Sequence, residues 1–516
     1  MERKWWTLLV VCIATFMLLL DITVVNVALP DIQKDLGASL SSLQWVVDAY
    51  SLTLAAFMLT SGSLSDRLGR RRIFVIGLGI FTLASFLCGI APNATLLNLA
   101  RGLQGVGGSA MFACSLALIA QEFQGAERAT AIGAWGATIG GAVAVGPLVG
   151  GVVTEGLGWA WIFFINIPIG LAAIYVSLSQ IENVKGPDPD PIDWGGLLTF
   201  SGGLFLLIFG LIRGNAEGWS SAQITGSLAA AVLLLIAFFV IELRKERPML
   251  DLTLFRKPAF AGASAVALTL SAGMFAMFLY LTLYIQDVLG YSPLQAGLRF
   301  LPLTVLGFFV APISGSLSNR VPIRVLLGIG MTLVGVGLLL MHGISVDSSW
   351  TTLLLGFIVA GAGIGMTNPG IAQTAIGVVP PQRAGMGSGI NNTFRQVGIA
   401  TGVASLGAVF QSQISSRLSE QLPHAPSGLA DAVASGGLKA AVASTPPAGQ
   451  HQVEVASKAA FVGAMNEILL IAGLISLTGA VLGFALVRGR DFVALGQPQA
   501  APEPGEPEAE AQPAAV

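Results

Sequence analysis

The sequence carries very little charge. Its 516 residues include 26 Lys plus Arg and 28 Asp plus Glu, or 10%, against about a quarter in a soluble domain. With 54% hydrophobic residues and a mean hydropathy of +0.77, too few ionised groups remain to cover a water-exposed surface. A soluble enzyme and a disordered chain are excluded. Cysteine is nearly absent as well. Cys12, Cys88 and Cys114 all lie inside apolar runs, so they read as packing residues, and a disulfide-stapled scaffold is excluded. The three histidines show no metal-ligand spacing, and no nucleotide loop or nucleophile arrangement occurs. Neither enzymatic chemistry nor a cofactor is expected. The net charge of −2, with no basic patch beside aromatics, gives no sign of nucleic-acid binding.

What the chain does have is long, unbroken apolar runs. Such runs select helices in a bilayer, where backbone polar groups must be satisfied within the segment. Spans of about 20 residues fall near 5–29, 44–65, 72–91, 96–121, 129–153, 159–179, 194–213, 222–243, 259–286, 293–318, 323–342, 350–375, 384–410 and 461–487. The first run reaches Pro30, beyond a signal-peptide core, and is expected to remain as a spanning helix. Of the 26 Lys and Arg, eighteen fall in one set of connections and six (Lys34, Arg213, Arg299, Arg417, Lys439, Lys458) in the other; Arg101 and Arg395 lie inside spans. The asymmetry places both termini in the cytoplasm. The long outer connection, 411–460, holds His424 and His451, and Ser415–Leu422 within it is expected to form a short amphipathic helix. The tail from Gln497, rich in Pro, Glu and Ala, is expected to be disordered. Asp188-Pro-Asp190 suggests the aspartate pair of a metal-dependent glycosyltransferase, but a Pro-rich linker explains it better.

The chain repeats itself. Gly62-Ser-Leu-Ser-Asp-Arg67 returns as Gly315-Ser-Leu-Ser-Asn-Arg320, an offset of 253, and Glu127-Arg128-Ala129 returns as Gln382-Arg383-Ala384, an offset of 255. Two six-helix halves with an inserted pair would produce this pattern, and repeated halves around a midplane site are common in secondary transporters.

Several stretches carry a resemblance. Gly62-Ser-Leu-Ser-Asp66-Arg67-Leu-Gly69-Arg70-Arg71-Arg72 resembles the signature loop of the major facilitator superfamily, and Arg101-Gly-Leu-Gln104-Gly105 its fourth-helix motif. Gly146-Pro147-Leu-Val-Gly150-Gly151 is similar to the antiporter motif of its exporters. Leu20-Asp21-Ile-Thr-Val-Val-Asn26-Val-Ala-Leu-Pro30 and Trp159-Ala-Trp161-Ile-Phe-Phe-Ile-Asn166-Ile-Pro168 resemble the fourteen-helix drug:proton antiporters of the EmrB/QacA type. Ala142 and Ala160 depart from the usual glycine and arginine. The resemblance implies a major facilitator fold: bundle 1–180, a linker with two inserted helices over 181–258, a second bundle 259–487 and a cytoplasmic tail 488–516. It also implies proton-coupled export of hydrophobic or cationic drugs from the cytoplasm, by a monomer in the bacterial cytoplasmic membrane. The alternative is dedicated export of a self-made metabolite, antibiotic or lipid.

Charge at bilayer depth is costly, so intramembrane ionisable groups are functional candidates. Asp21, near the middle of the first span, and Arg101, at similar height in the fourth, form the expected proton-coupling pair. The bland alternative is a static ion pair that fixes packing. Arginine favours an ionised neighbouring carboxylate and burial favours the protonated form, so movement that separates or dries the pair would favour proton capture. Asp48, higher in the second span, is a second candidate, or simply a solvated residue. The resemblance assigns Gly62, Asp66, Arg67, Gly69, Arg70 and Arg71 to a latch that stabilises the outward-facing state, though a plain positive anchor would also account for the arginines. Gly146, Pro147, Gly150 and Gly151 would form a kinked packing surface that seals against proton leak. Gly361, Gly363 and Gly365 read as close-packing positions. Asn26, Gln104, Met274, Phe278, Asn391 and Arg395 are candidate substrate-cavity residues, with Arg395 free to pair with substrate, with backbone carbonyls or with Glu467.

Overall fold

A computed structural model describes residues 2–38, 40–184, 192–245, 248–422, 428–443 and 445–492. It is helical throughout the described residues. We number the long helices α1 (Arg3–Leu36), α2 (Leu40–Leu68), α3 (Arg70–Gly89), α4 (Ala94–Glu122), α5 (Gly125–Leu157), α6 (Trp161–Gln180), α7 (Trp194–Glu217), α8 (Ala222–Arg244), α9 (Pro258–Val288), α10 (Leu301–Leu317), α11 (Ile323–Leu340), α12 (Leu354–Gly377), α13 (Ala384–Gln421) and α14 (Pro447–Leu486). Their boundaries follow local chemistry. Asn93 caps α4 by accepting from the Leu96 amide at 2.9 Å, and Pro258 opens α9, where a missing N–H costs nothing. Among the described residues, twelve helices are long and apolar enough to cross a membrane. The 33-residue α5 and the 17-residue α10 occupy the two remaining expected spans.

Large apolar side chains face outward, as a lipid surface requires: Leu99 is 68% exposed and Phe309 62%. Between helices, small residues allow close approach. Gly363 of α12 abuts the Gly330 carbonyl of α11, while Gly361 and Gly365 turn to α10, meeting the backbone of Leu303 and Gly307. The three glycines thus serve two interfaces.

The connections rich in Lys and Arg gather at one end, here the basic end. There Lys4 pairs with Glu127 at 2.8 Å, Arg383 with Asp251 at 2.9 Å, and the Lys257 ammonium donates to the Val378 carbonyl at 2.9 Å. At the opposite end the Trp159 indole donates to Asp35 at 2.8 Å and Asn466 accepts from the Gly343 amide at 2.8 Å.

Helix α7 lies between α2 and α13. Its Ser201 hydroxyl meets Thr60 at 2.9 Å, and Asn215 donates to the Ala404 carbonyl at 3.1 Å. Helix α8 stacks on α7 through Phe238 and Phe200, ring centroids 4.9 Å apart, and exposes Leu233 and Leu243.

Some boundaries differ from expectation. Ser415–Leu422 is not a separate helix: α13 runs unbroken to Gln421, because no Gly or Pro interrupts 408–421 and Arg417 reaches Glu467 of α14 at 3.6 Å. α14 starts at Pro447, well before 461. Between them lie two short helices, Leu429–Ala434 and Leu438–Ala443. The expected span 293–318 breaks at Phe300, since Pro302 starts a fresh helix. Asp188, Asp190, His424 and the tail from Gln497 lie outside the described residues.

Candidate functional site

Asp21 projects from the middle of α1 into a polar network buried among α2, α3, α4 and α6. The Arg101 guanidinium pairs with Asp21 Oδ2; it also donates through Nε to the Val46 carbonyl at 2.9 Å and through Nη1 to Gln104 Oε1 at 2.7 Å. Arg101 is 1% exposed, and its remaining face lies 4.3 Å from the centroid of the Tyr50 ring, a cation–π contact. Gln104 donates to Asp21 Oδ1 at 2.9 Å and to the Ser85 hydroxyl at 2.8 Å. Asn166 of α6 donates to Asp21 Oδ1 at 3.3 Å. Every partner is hydrogen-bonded, which a buried charge at bilayer depth requires. Beside Asp21 a crevice of about 10 Å³, room for one water, runs between α1, α5 and α6, lined by Val149, Val153, Ile162 and Asn166.

The expected pairing of Asp21 with Arg101 is therefore present. Gln104 belongs to this network and not to a substrate cavity. Ser85, Asn166 and Tyr50 were not singled out from the sequence; their one signal was polarity within apolar spans. Asp48 stands apart and is not a freely solvated group. It is half-buried, and Arg213 of α7 lies 3.6 Å away while also donating to Gln44 at 2.8 Å.

The antiporter-motif glycines turn to α1. A Cβ on Gly146 would strike Thr23, and one on Gly150 would press on Val24 and Val27; Gly151 meets nothing. Gly146 and Gly150 thus hold α5 close to the helix bearing Asp21, and Gly151 takes no part in this contact. Pro147 sits within unbroken α5.

At the basic end, Asp66 joins α2 to the start of α13. It accepts from the amides of Gly385 at 3.0 Å and Met386 at 2.8 Å, which are unsatisfied donors of a helix N-terminus. Arg70 bonds Asp66 at 3.2 Å, the Ala117 carbonyl at 3.2 Å and the Pro381 carbonyl. Arg71 donates to the Ile181 carbonyl at 3.1 Å and Arg67 to the Pro248 carbonyl at 3.5 Å. Two glycines make this possible. Gly69 adopts φ +105° against Asn183, and Gly62 touches the Gly385 backbone where any Cβ would collide. The repeat has the same geometry: Gly315 of α10 meets the Ala129 carbonyl and Gly133 at the start of α5. Asn319, standing where Asp66 stands, is exposed, so only the first half carries the carboxylate.

A third feature lies between the halves. Gly136, Ile139 and Gly140 of α5, Phe275 and Phe278 of α9, Thr304 and Gly307 of α10 and Asn368 of α12 surround a cavity of about 30 Å³. The helix wall at Phe275 contains π-helical turns, Ser271–Phe275 and Tyr284–Val288, which widen the backbone locally. Of the candidate cavity residues, Phe278 lines it. Met274 does not, being fully buried in packing. Asn26 is exposed on α1 and donates to the Ile22 carbonyl at 3.1 Å, away from it. Asn391 and Arg395 are buried on α13. Arg395 is not paired with Glu467, which faces Arg417.

The chain is similar to known proteins over most of its length. It is 37% identical over 420 residues to the multidrug resistance protein Stp of Mycobacterium tuberculosis (strain CDC 1551 / Oshkosh), covering 81% of this chain and 78% of that one. It is 32% identical over 492 residues to the tetracenomycin C resistance and export protein of Streptomyces glaucescens, covering 93% and 91%. Its fold matches the proton:xylose symporter XylE with a TM-score of 0.60 over 94% of this chain and 96% of that one, at 13% identity, a likeness of fold alone. The profile of the Major Facilitator Superfamily matches residues 11–403. Twelve membrane-length apolar helices among the described residues, two related interfaces at the basic end and this match lead to one conclusion: the chain is a multi-pass membrane transporter, not an enzyme, and belongs to the Major Facilitator Superfamily.

Proposed function

We propose that this transporter expels antibiotic-like and drug-like small molecules from the cytoplasm in exchange for protons. The observation that carries the proposal is the separation of two sites. A buried titratable carboxylate, Asp21, is bonded to Arg101 beside a water-sized crevice, while a mostly apolar cavity lies between the halves. Alternating access links the two when α1 moves against α5. The names of the relatives, resistance and export proteins, favour outward transport, and so does the small-residue contact of α5 with α1.

The basic end lies in the cytoplasm, with both termini, and the protein works as a monomer in the cytoplasmic membrane. The chain divides into bundles 1–180 and 259–487, with α7 and α8 between them in sequence. Asp66, Arg70 and Gly62 hold the cytoplasmic face shut in the outward-facing state, so their contact is broken and remade in each cycle.

Expression in an efflux-deficient bacterial host tests this reading. Resistance should rise against members of a panel that includes puromycin and tetracenomycin C, and a protonophore should abolish dye efflux. An unchanged inhibition panel would overturn it. Dedicated export of a self-made compound would use the same two sites and differ only in substrate.

A further inference from the structure

Among the described residues four arginines are buried inside helices, Arg70, Arg101, Arg213 and Arg395, and the last is treated differently. Arg101 pairs with Asp21 and donates to Gln104 and the Val46 carbonyl, Arg70 pairs with Asp66, and Arg213 lies between Asp48 and Glu217. Arg395, on α13, is 9% exposed, yet among the described residues no carboxylate pairs with it. Its guanidinium lies against the face of Phe275, 5.6 Å from the ring centroid. Phe275 is itself a wall of the cavity between the halves.

The surrounding polar groups are also unsatisfied. Asn391 lies one turn back on the same face of α13, and its Oδ1 is buried without a partner among the described residues; so is the Oδ1 of Asn368, which lines the cavity from α12. A buried guanidinium without a counter-charge and orphaned acceptors are expensive in a low-dielectric interior. A static core would have paired the guanidinium, as the first half pairs Arg101 with Asp21. The missing partner is an anion that also donates hydrogen bonds.

The cavity chemistry sets the rest. Among the described residues no acidic side chain lines it, so a cation would enter with nothing to neutralise it, and Arg395, behind Phe275, would repel it. The rings of Phe275 and Phe278, 5.9 Å apart, continue to Phe300 at 5.4 Å, an aromatic wall for a flat ring system. We propose that Arg395 recognises the exported molecule, and that the preferred substrates are planar aromatic compounds bearing a carboxylate or ionised phenol together with a hydroxyl donor. Of the hydrophobic or cationic drugs that the family resemblance implies, this disfavours the cationic ones, and it rests on the exporter reading above.

Two dyes built on one xanthene skeleton separate the possibilities: anionic carboxyfluorescein and cationic rhodamine 6G. Binding to the full-length protein in nanodiscs should favour carboxyfluorescein. Arg395→Gln should weaken that binding by about tenfold or more, the scale of a charge-assisted pair, without weakening rhodamine 6G. Arg395→Lys, which keeps charge but loses the planar fork, should fall between. Because no carboxylate among the described residues pairs with Arg395, Arg395→Gln should melt no lower than the unmodified protein. Tighter binding of rhodamine 6G, equal losses for both dyes, or binding of neither would overturn the inference. If energised vesicles move rhodamine 6G while carboxyfluorescein fails to bind, the inference falls and the exporter stands. If Arg395-dependent carboxyfluorescein binding persists but neither dye is moved, the site stands and the exporter reading falls.

Discussion

Asp66 and Met386 are 320 residues apart in sequence and joined by a 2.8 Å hydrogen bond from the Met386 amide to Asp66 Oδ2. The Gly385 amide makes a second bond to the same carboxylate at 3.0 Å. One side chain of the first half therefore terminates a helix of the second. The contact needs an ionised acceptor for two amides and a glycine at 62 to let the backbones meet. It couples halves that share little chain at this end.

Replacing that carboxylate should impair the cycle without unfolding the protein. Asp66→Asn leaves a single acceptor oxygen for two amides and Arg70, and export should fall by about tenfold, the scale of one lost charge-assisted bond. Yield and membrane insertion should hold, since Asn keeps the size of the side chain and one acceptor. Efflux from energised vesicles checks this; unchanged efflux would leave the loop as an anchor only.

Arg213 ties the inserted α7 to Asp48 and Gln44 of α2. Arg213→Gln leaves the half-buried Asp48 carboxylate without its cation and should cost about 1–3 kcal/mol. The readout is a lower melting temperature in detergent, with dye binding retained. No change in melting would mean that Asp48 draws nothing from the pair.

Asp193, just before α7, accepts from the Gly196 amide at 2.7 Å and pairs with Lys245. Burial pushes its carboxyl upward, but the Lys245 ammonium and the Gly196 amide outweigh burial and hold it below the ordinary carboxylate value. A group depressed in the folded state stabilises above its unfolded value, and that stability is lost as pH falls through the folded one. Asp193→Ala should therefore cost about 1 kcal/mol of cap stability at neutral pH. Melting curves of the two proteins should converge only below about pH 4.

Topology can be checked by labelling. A cysteine at Arg488, exposed at the basic end, should be shielded from an impermeant maleimide in intact cells. One at Asp347, exposed in the opposite connection between α11 and α12, should react. Reaction at position 488 would reverse the orientation drawn from Lys and Arg.

Much of this was legible in the sequence because the bilayer leaves few options. Fourteen apolar runs must be helices, and the Gly62 and Gly315 repeats had to occupy equivalent places. Asp21 and Arg101 were readable as a pair because each is an isolated charge in an apolar span. What was not legible depends on which helix faces which. Gln104 and Met274 were assigned to a cavity that they do not touch, because helix rotation decides whether a polar or flexible side chain meets a partner or packs. Arg213 looked like one more basic loop residue until α7 was placed against α2. The break at Phe300 and the continuous α13 reflect local proline chemistry and an ion pair across helices, neither of which a hydropathy window sees.

Asp21 carries the exchanged proton in this account, and one measurement tests that most directly: proton release on substrate addition to purified protein in weakly buffered solution at fixed pH. The unmodified protein should release protons when an exported compound binds. Asp21→Asn, which keeps size and hydrogen bonding but has no proton to give, should release none while still binding the compound. Release from Asp21→Asn equal to that of the unmodified protein would contradict the account and move the coupling site elsewhere, with Asp48 or Glu467 next to be tested.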